Sequence, residues 1–338
     1  MADLYYGVAG NPVSHSLSPV LMNIMVQHVN SHLKTKDTFK LHCTDLIEES
    51  LIQDALAWGY VKSTPKVVDW DLTKSPFGKF RNKAIMNKVL EQTEEIEEPS
   101  HHLEFDEFEN NIKNLPYESK EKLPTKSFGD EVWINLTSPL KHQLKSQAVV
   151  DFNQSSMIES VNVLRWDGFG WWSSNVDGSG VVRLAQMLGI NIANGAIIGI
   201  IGGGGAARST AQTWTKCGGK VAILGGKRDL SEYDWLTSVD PIPNEVDLLI
   251  DYDNQQEEVS NIAAKFILQS KYEPTTGTID ERLQAINKAN LDGRWLLVAQ
   301  HLECWKQLWA PQLAEFFPSI ELLMTKLIHA ETVLASYS

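Results

Sequence analysis

Apolar positions along this chain come as short continuous runs separated by amphipathic stretches and turn-rich punctuation. Runs at residues 4–9, 38–43, 131–135, 220–224, 247–250 and 265–269 have the length of buried strands, and another opens at Ala196. Ser18 followed by Pro19 reads as an N-cap and first-turn pair, which predicts a helix over 19–29. Residues 48–58 have a second amphipathic pattern, so the chain opens as βαβα, the alternation of a parallel-sheet layer. A helix is expected to begin near Leu140. Asp167-Gly168, between runs at 160–166 and 169–173, is a hairpin turn. The segment NVDGSG, 175–180, enters a helix ending about Leu188; the pattern is helical again from Leu291 and after Pro318.

The densest local signal is AIIGIIGGGGAARS, 196–209. A buried strand turns through four glycines into a helix that runs to about Lys216, and Cys217-Gly218-Gly219 closes that helix before the next strand. This is the first half of a dinucleotide-binding βαβ unit. The glycines permit a tight turn and let a pyrophosphate approach the N–H groups at the helix start. Gly202, Gly204, Gly205 and Ala206 are the candidate phosphate contacts.

Length and charge narrow the class. The 338 residues suffice for two domains, and a net charge of −13 argues against nucleic acid or an anionic membrane surface as partner. Three scattered cysteines form neither a disulfide framework nor a metal-ligand spacing. The N-terminus lacks a basic region followed by an apolar one, and no run approaches ~18 apolar residues, so a cytoplasmic protein without a targeting segment is expected. Residues 60–126 differ in character, rich in charge and punctuated by proline. They are read as a solvated, peripheral insertion carrying an exposed helix at 83–95, and His101-His102 within them is not read as a metal site. No metal is called for anywhere.

The motifs then form an ordered set. GNPVSHSLSP at 10–19, NLTSPLK at 135–141, ESVNVL at 159–164, NVDGSG at 175–180, the glycine turn, and DGRWLLVAQ at 292–300 together resemble the shikimate dehydrogenase family. That family reduces 3-dehydroshikimate to shikimate with NADPH in aromatic amino-acid biosynthesis. The resemblance implies an α/β fold: a substrate domain over 1–176, completed by helices at 300–338, and a Rossmann-type NADP-binding domain over 177–299. The active site is expected in the cleft. It further implies that Ser16, Ser18, Thr137, Asn162, Gln300 and Tyr272 bind substrate, that Lys141 and Asp177 are the catalytic pair, and that Gly293 borders the cofactor. Taken singly, Ser18 is also a plausible cap, Asn162 a polar strand residue and Gln300 a helix surface residue.

Cofactor choice is read from position. No acid stands at the end of the strand 220–224, and Lys227 and Arg228 follow it, which favours NADP over NAD. Arg208 either assists or decorates its helix. Several departures fall on this side: Asp251 and Asp253 replace the family's Asn-Ala-Thr and stand where an anionic cofactor would pass, Trp295-Leu296 replace Gly-Met, and Tyr272-Glu273-Pro274 matches Y-x-P loosely. Two alternatives therefore stand beside the dehydrogenase: a shikimate- or quinate-binding regulatory protein without turnover, and a quinate/shikimate dehydrogenase using NAD. A homodimer is the macromolecular partner allowed for.

Overall fold

The computed structural model describes residues 2–33, 38–62, 83–98, 129–145, 149–153, 155–228, 230–253, 262–272, 275–286 and 290–337. They gather into two units, one holding the described residues up to Asn175 together with those from His301 onward, the other holding Val176–Gln300.

In the first unit, β1 (Ala2–Gly10) is central. Leu4, Tyr6, Val8 and Ala9 are all buried, as in a strand covered on both faces. It pairs in parallel with β2 (Phe39–Glu48) and with β3 (Glu131–Leu136). One strand breaks the run of parallel pairs. β5 (Val163–Trp166) is antiparallel to both β3 and β6 (Trp171–Ser174), and β4 (Val149–Asp151) pairs in parallel with β6 at the edge, giving the order β2-β1-β3-β5-β6-β4. The β5–β6 turn is the expected hairpin: Gly168 has φ +90°, and Asp167 Oδ1 accepts the N–H groups of Phe169 and Gly170, each at 2.8 Å.

Three local expectations change. β2 runs on to Glu48, and α2 (Ile52–Val61) starts later than read, because Asp45, Leu46 and Ile47 are buried opposite Gly7–Ala9 of β1. The helix expected near Leu140 is a single 3-10 turn, Leu140–His142. Lys141 O accepts the N–H of Val161 at 2.7 Å, so that carbonyl is taken by a neighbouring segment instead of a continuing helix. Finally, α3 (Lys83–Glu94) is not an exposed helix. Met86, Val89 and Thr93 are buried where it packs on α1 (Ser18–His32) and α8 (Ile320–Ala335), and Gln27 Nε2 donates to Leu90 O at 3.2 Å. The rest of the 60–126 stretch, His101-His102 included, lies outside the described residues apart from 60–62 and 95–98.

Residues from His301 onward seal this unit. Trp309 stacks on Trp133 at 5.2 Å and 4° between planes, while Trp305 meets Trp133 edge-on at 4.9 Å. Arg165 and Glu131, on adjacent strands near the middle of the sheet, form a buried two-point ion pair at 2.7 and 3.0 Å. The pair is satisfied further by Trp133 Nε1 on Glu131 and by Leu308 O under Arg165, as a buried charge requires.

The second unit is a five-stranded parallel sheet of β7 (Ile197–Ile201), β8 (Lys220–Ile223), β9 (Glu245–Asp251), β10 (Ala263–Gln269) and β11 (Asn290–Leu291), in the order β11-β10-β9-β7-β8. This is a doubly wound arrangement whose strand order reverses between β7 and β9, the point where such sheets bind ligands. Its helices are α4 (Asp177–Met187), α5 (Gly205–Lys216), α6 (Ile279–Ile286) and α7 (Gly293–Cys304), with the division between units falling after Gln300 of α7. α4 and α5 approach so closely that a side chain at Gly178 would overlap Ser209 O, and Gly178 N–H donates to Ser209 Oγ at 2.9 Å. No helix among the described residues is long and apolar enough to cross a membrane.

Candidate functional site

In the first unit, the loops after β1 and β3 and the segment before β5 meet at one end of the sheet. Asn11 N–H donates to Ser138 O, Thr137 N–H to Ala9 O and Leu136 N–H to Asn162 O, each at 2.8 Å, and Val161 N–H reaches Lys141 O. Three motifs separated in sequence are thus stitched together by backbone bonds. Those segments carry five of the predicted residues, Ser16, Ser18, Thr137, Asn162 and Lys141. Ser16, Ser18 and Asn162 are buried, and Thr137 and Lys141 half-buried. One detail departs from the sequence reading: Ser18 is not the cap. Leu17 holds the N-cap position, and Ser16 Oγ accepts the N–H of Ser18 at 3.3 Å. The helix starts one residue early because the chain has already turned at Val13–Ser16, whose backbone bond is 3.0 Å.

In the second unit, Asp177 opens α4, where a helix end interacts favourably with negative charge. It is 1% exposed, and Gln300 Nε2 donates to its Oδ1 at 3.0 Å. The structure therefore brings two of the predicted residues into contact. Two residues the sequence reading did not single out, Tyr252 and Thr210, belong to the same unit. The phenol of Tyr252 is bonded to Thr210 Oγ1 at 2.6 Å, and burial together with the Asp177 carboxylate pushes its pKa upward. Their signal lay in the position of Tyr252, one residue beyond β9 at the reversal of strand order.

The glycine turn has the open geometry that a phosphate contact requires. Gly202 has φ +104°, a conformation that favours glycine. Gly204 faces open space, and Arg208 N–H is the first to bond within α5, on Gly204 O at 2.9 Å. The N–H groups of Gly205, Ala206 and Ala207 thus have no partner inside the helix, which suits an anion. Arg208 does not decorate the surface: it is buried, bonded to Gly203 O at 3.3 Å and Tyr233 OH at 2.8 Å, and braces the turn from behind. Lys227 and Arg228 are exposed at the end of β8. As read, no acid follows β8 directly in the chain. Asp253, one of the departures noted on the cofactor side, arrives from β9 and places its carboxylate on Lys227 N–H at 2.6 Å and beside Gly202. The residues fit a dinucleotide phosphate at Gly204–Ala206, with one opposing carboxylate at the rim.

No family model matches the chain. A curated relative, the shikimate dehydrogenase (NADP(+)) of Methylibium petroleiphilum, is 29% identical over 94 residues, 28% of this chain and 32% of the relative. The match thus spans about a third of that protein's length. Among solved structures, the shikimate 5-dehydrogenase of Thermus thermophilus in complex with NADP(H) and shikimate has a TM-score of 0.53 at 15% identity, covering 97% of this chain and 99% of that one. The shikimate dehydrogenase of Mycobacterium tuberculosis has a TM-score of 0.52 at 14% identity, covering 96% and 98%. The fold is that of the shikimate dehydrogenases.

Against the shikimate dehydrogenase motifs, the remaining candidates have clear local settings. A side chain at Gly293 would overlap Lys271 O, so this glycine lets α7 start against the chain before it. Tyr272 lies under the Arg294 guanidinium at 5.4 Å. Trp295, a bulky residue where the family has glycine, is buried with Nε1 bonded to Ile286 O at 3.1 Å, which ties its ring to the end of α6.

Proposed function

We propose that this chain is a shikimate dehydrogenase that reduces 3-dehydroshikimate reversibly to shikimate with NADPH. The observation that carries the reading is the backbone stitching of GNPVSHSLSP, NLTSPLK and ESVNVL at one sheet end. The segments it joins carry the hydroxyl, amide and ammonium groups that a small polyhydroxylated carboxylate calls for. Ser16 and Ser18 take the carboxylate, and Thr137, Asn162, Gln300 and Tyr272 hold the ring and its rim. NADP is held by Gly202, Gly204, Gly205 and Ala206 at the phosphates, by Lys227 and Arg228 at the 2′-phosphate, with Gly293 at the far end. When bound it supplies the hydride.

Lys141 then has two tasks. Its ammonium stabilises the charge growing on the ketone oxygen and gives the proton that completes the alcohol, as a general acid within hydrogen-bond reach does. Asp177 orients that ammonium and the reacting oxygen. Gln300 fixes Asp177 through its amide, so the carboxylate is set before substrate arrives. The test is NADPH oxidation by the purified full chain with 3-dehydroshikimate, alongside calorimetry with shikimate. Turnover supports the dehydrogenase. Shikimate binding without turnover by NADPH or NADH replaces it with the regulatory binding protein.

A further inference from the structure

The crevice between the ends of β7 and β9 contains a carboxylate that the proposed cofactor must face. Asp253 is positioned by its own chain. Its N–H donates to Asp251 Oδ1 at 2.8 Å, and its Oδ2 accepts Lys227 N–H at 2.6 Å. A side chain at Gly202 would come within 3.1 Å of the Asp253 carboxylate, and one at Gly226 within 2.9 Å, so that carboxylate sits against both glycine segments. Those two segments also grip each other. Gly202 N–H donates to Gly225 O at 2.8 Å, and a side chain at Gly203 would lie 2.6 Å from Arg228 O. The loop carrying Lys227 and Arg228 is therefore drawn down onto the glycine turn, with Asp253 as the charged pin.

We infer that Asp253 is an internal anionic competitor for the dinucleotide and sets the affinity of this chain for NADP(H). This rests on the dehydrogenase reading above. Three features support it. The carboxylate stands at the reversal of strand order, beside the first glycine of the phosphate turn. It uses the Lys227 N–H, a donor of the loop proposed to receive the 2′-phosphate. And its negative charge stands against both glycine segments of the crevice, so it opposes phosphates entering there. NADPH, with one more phosphate than NADH, meets more of this repulsion. A neutral residue of the same shape leaves the loop in place and removes only the charge.

The experiment compares wild-type protein with Asp253→Asn and Asp253→Thr, titrating NADPH and NADH by calorimetry and following shikimate binding in parallel. The expected result is NADPH binding tightened about tenfold in both variants, from the loss of one like charge at close range. NADH should gain less and shikimate should be unaffected. Unchanged or weakened NADPH affinity in both variants, with wild-type turnover intact, overturns the inference and leaves the dehydrogenase standing. An equal gain for NADPH and NADH overturns the competition with the 2′-phosphate. Failure of wild-type and variants alike to bind either cofactor overturns both this inference and the dehydrogenase, while retained shikimate binding then identifies the regulatory protein.

Discussion

Replacing Lys141 by alanine removes the proposed proton donor while sparing most of the groups around the substrate. The expected outcome is a fall in kcat of about 10²–10⁴-fold, the usual reach of a general acid, with shikimate affinity nearly kept. Asp177→Asn should lower kcat and shift the pH–rate profile. The double variant should be little worse than the worse single one, as expected if the proposed pair works as a unit. Near-normal kcat in Lys141→Ala would remove the acid role. A second test separates Ser18 from Ser16. Since Ser16 Oγ accepts the Ser18 N–H, Ser16→Ala mixes lost binding with about 1 kcal/mol for the lost hydrogen bond. Ser18→Ala is the cleaner probe. It should weaken shikimate binding by about 1.5–3 kcal/mol, the range for a bond to a charged group, with an unchanged Tm. Unaltered calorimetric affinity would take Ser18 out of the site.

At the scale of elements, α3 is the instructive case. Its sequence KAIMNKVLEQTE has apolar residues at adjacent and four-apart positions, yet charged flanks made it read as exposed. The partner faces on α1 and α8 decide otherwise, and neither lies near α3 in sequence. Met86→Ala should therefore cost about 2–4 kcal/mol in urea unfolding, as buried methionine truncations do. A loss below about 0.5 kcal/mol, typical of a surface position, would return α3 to the surface. The hairpin at Asp167-Gly168 was legible for the opposite reason, since its turn is closed by its own carboxylate. The turn at Leu140–His142 was not, because what ends it is the N–H of Val161.

Over the whole molecule, two buried histidines couple folding to pH. Burial, reinforced by His32 and Lys326, pushes His28 down to about 4, and burial alone pushes His301 down to about 3. His301 lies among the rings of Tyr6 and Trp309. Both histidines take up protons more readily when unfolded, so between their folded values and the ordinary 6.5 the unfolded chain binds more protons. Their contribution to stability is whole above pH ~6.5 and declines as pH falls toward ~4 and then ~3. The urea midpoint should drop between pH 7 and pH 4.5, and His301→Phe should drop by less over the same interval. Equal drops would show that His301 is not part of this dependence.

Short-range pattern along the chain was enough to locate the glycine turn with its strand and helix, the hairpin, the order of the motifs, and the α/β class of both units. Each depends on residues within a few positions of one another, where periodicity and turn chemistry are written directly. Packing chose which distant segments touch. It made Ser16 rather than Ser18 the acceptor at the start of α1, buried one face of α3, and set Asp177 against Gln300. It also set the Asp253 carboxylate on the backbone of Lys227, a contact beyond the reach of local order although Asp253 itself was legible as an acid on the cofactor side. That last contact exists because β9 and β8 flank β7 in the sheet. Strand order is a property of the packed layer, and no local period along the chain specifies it.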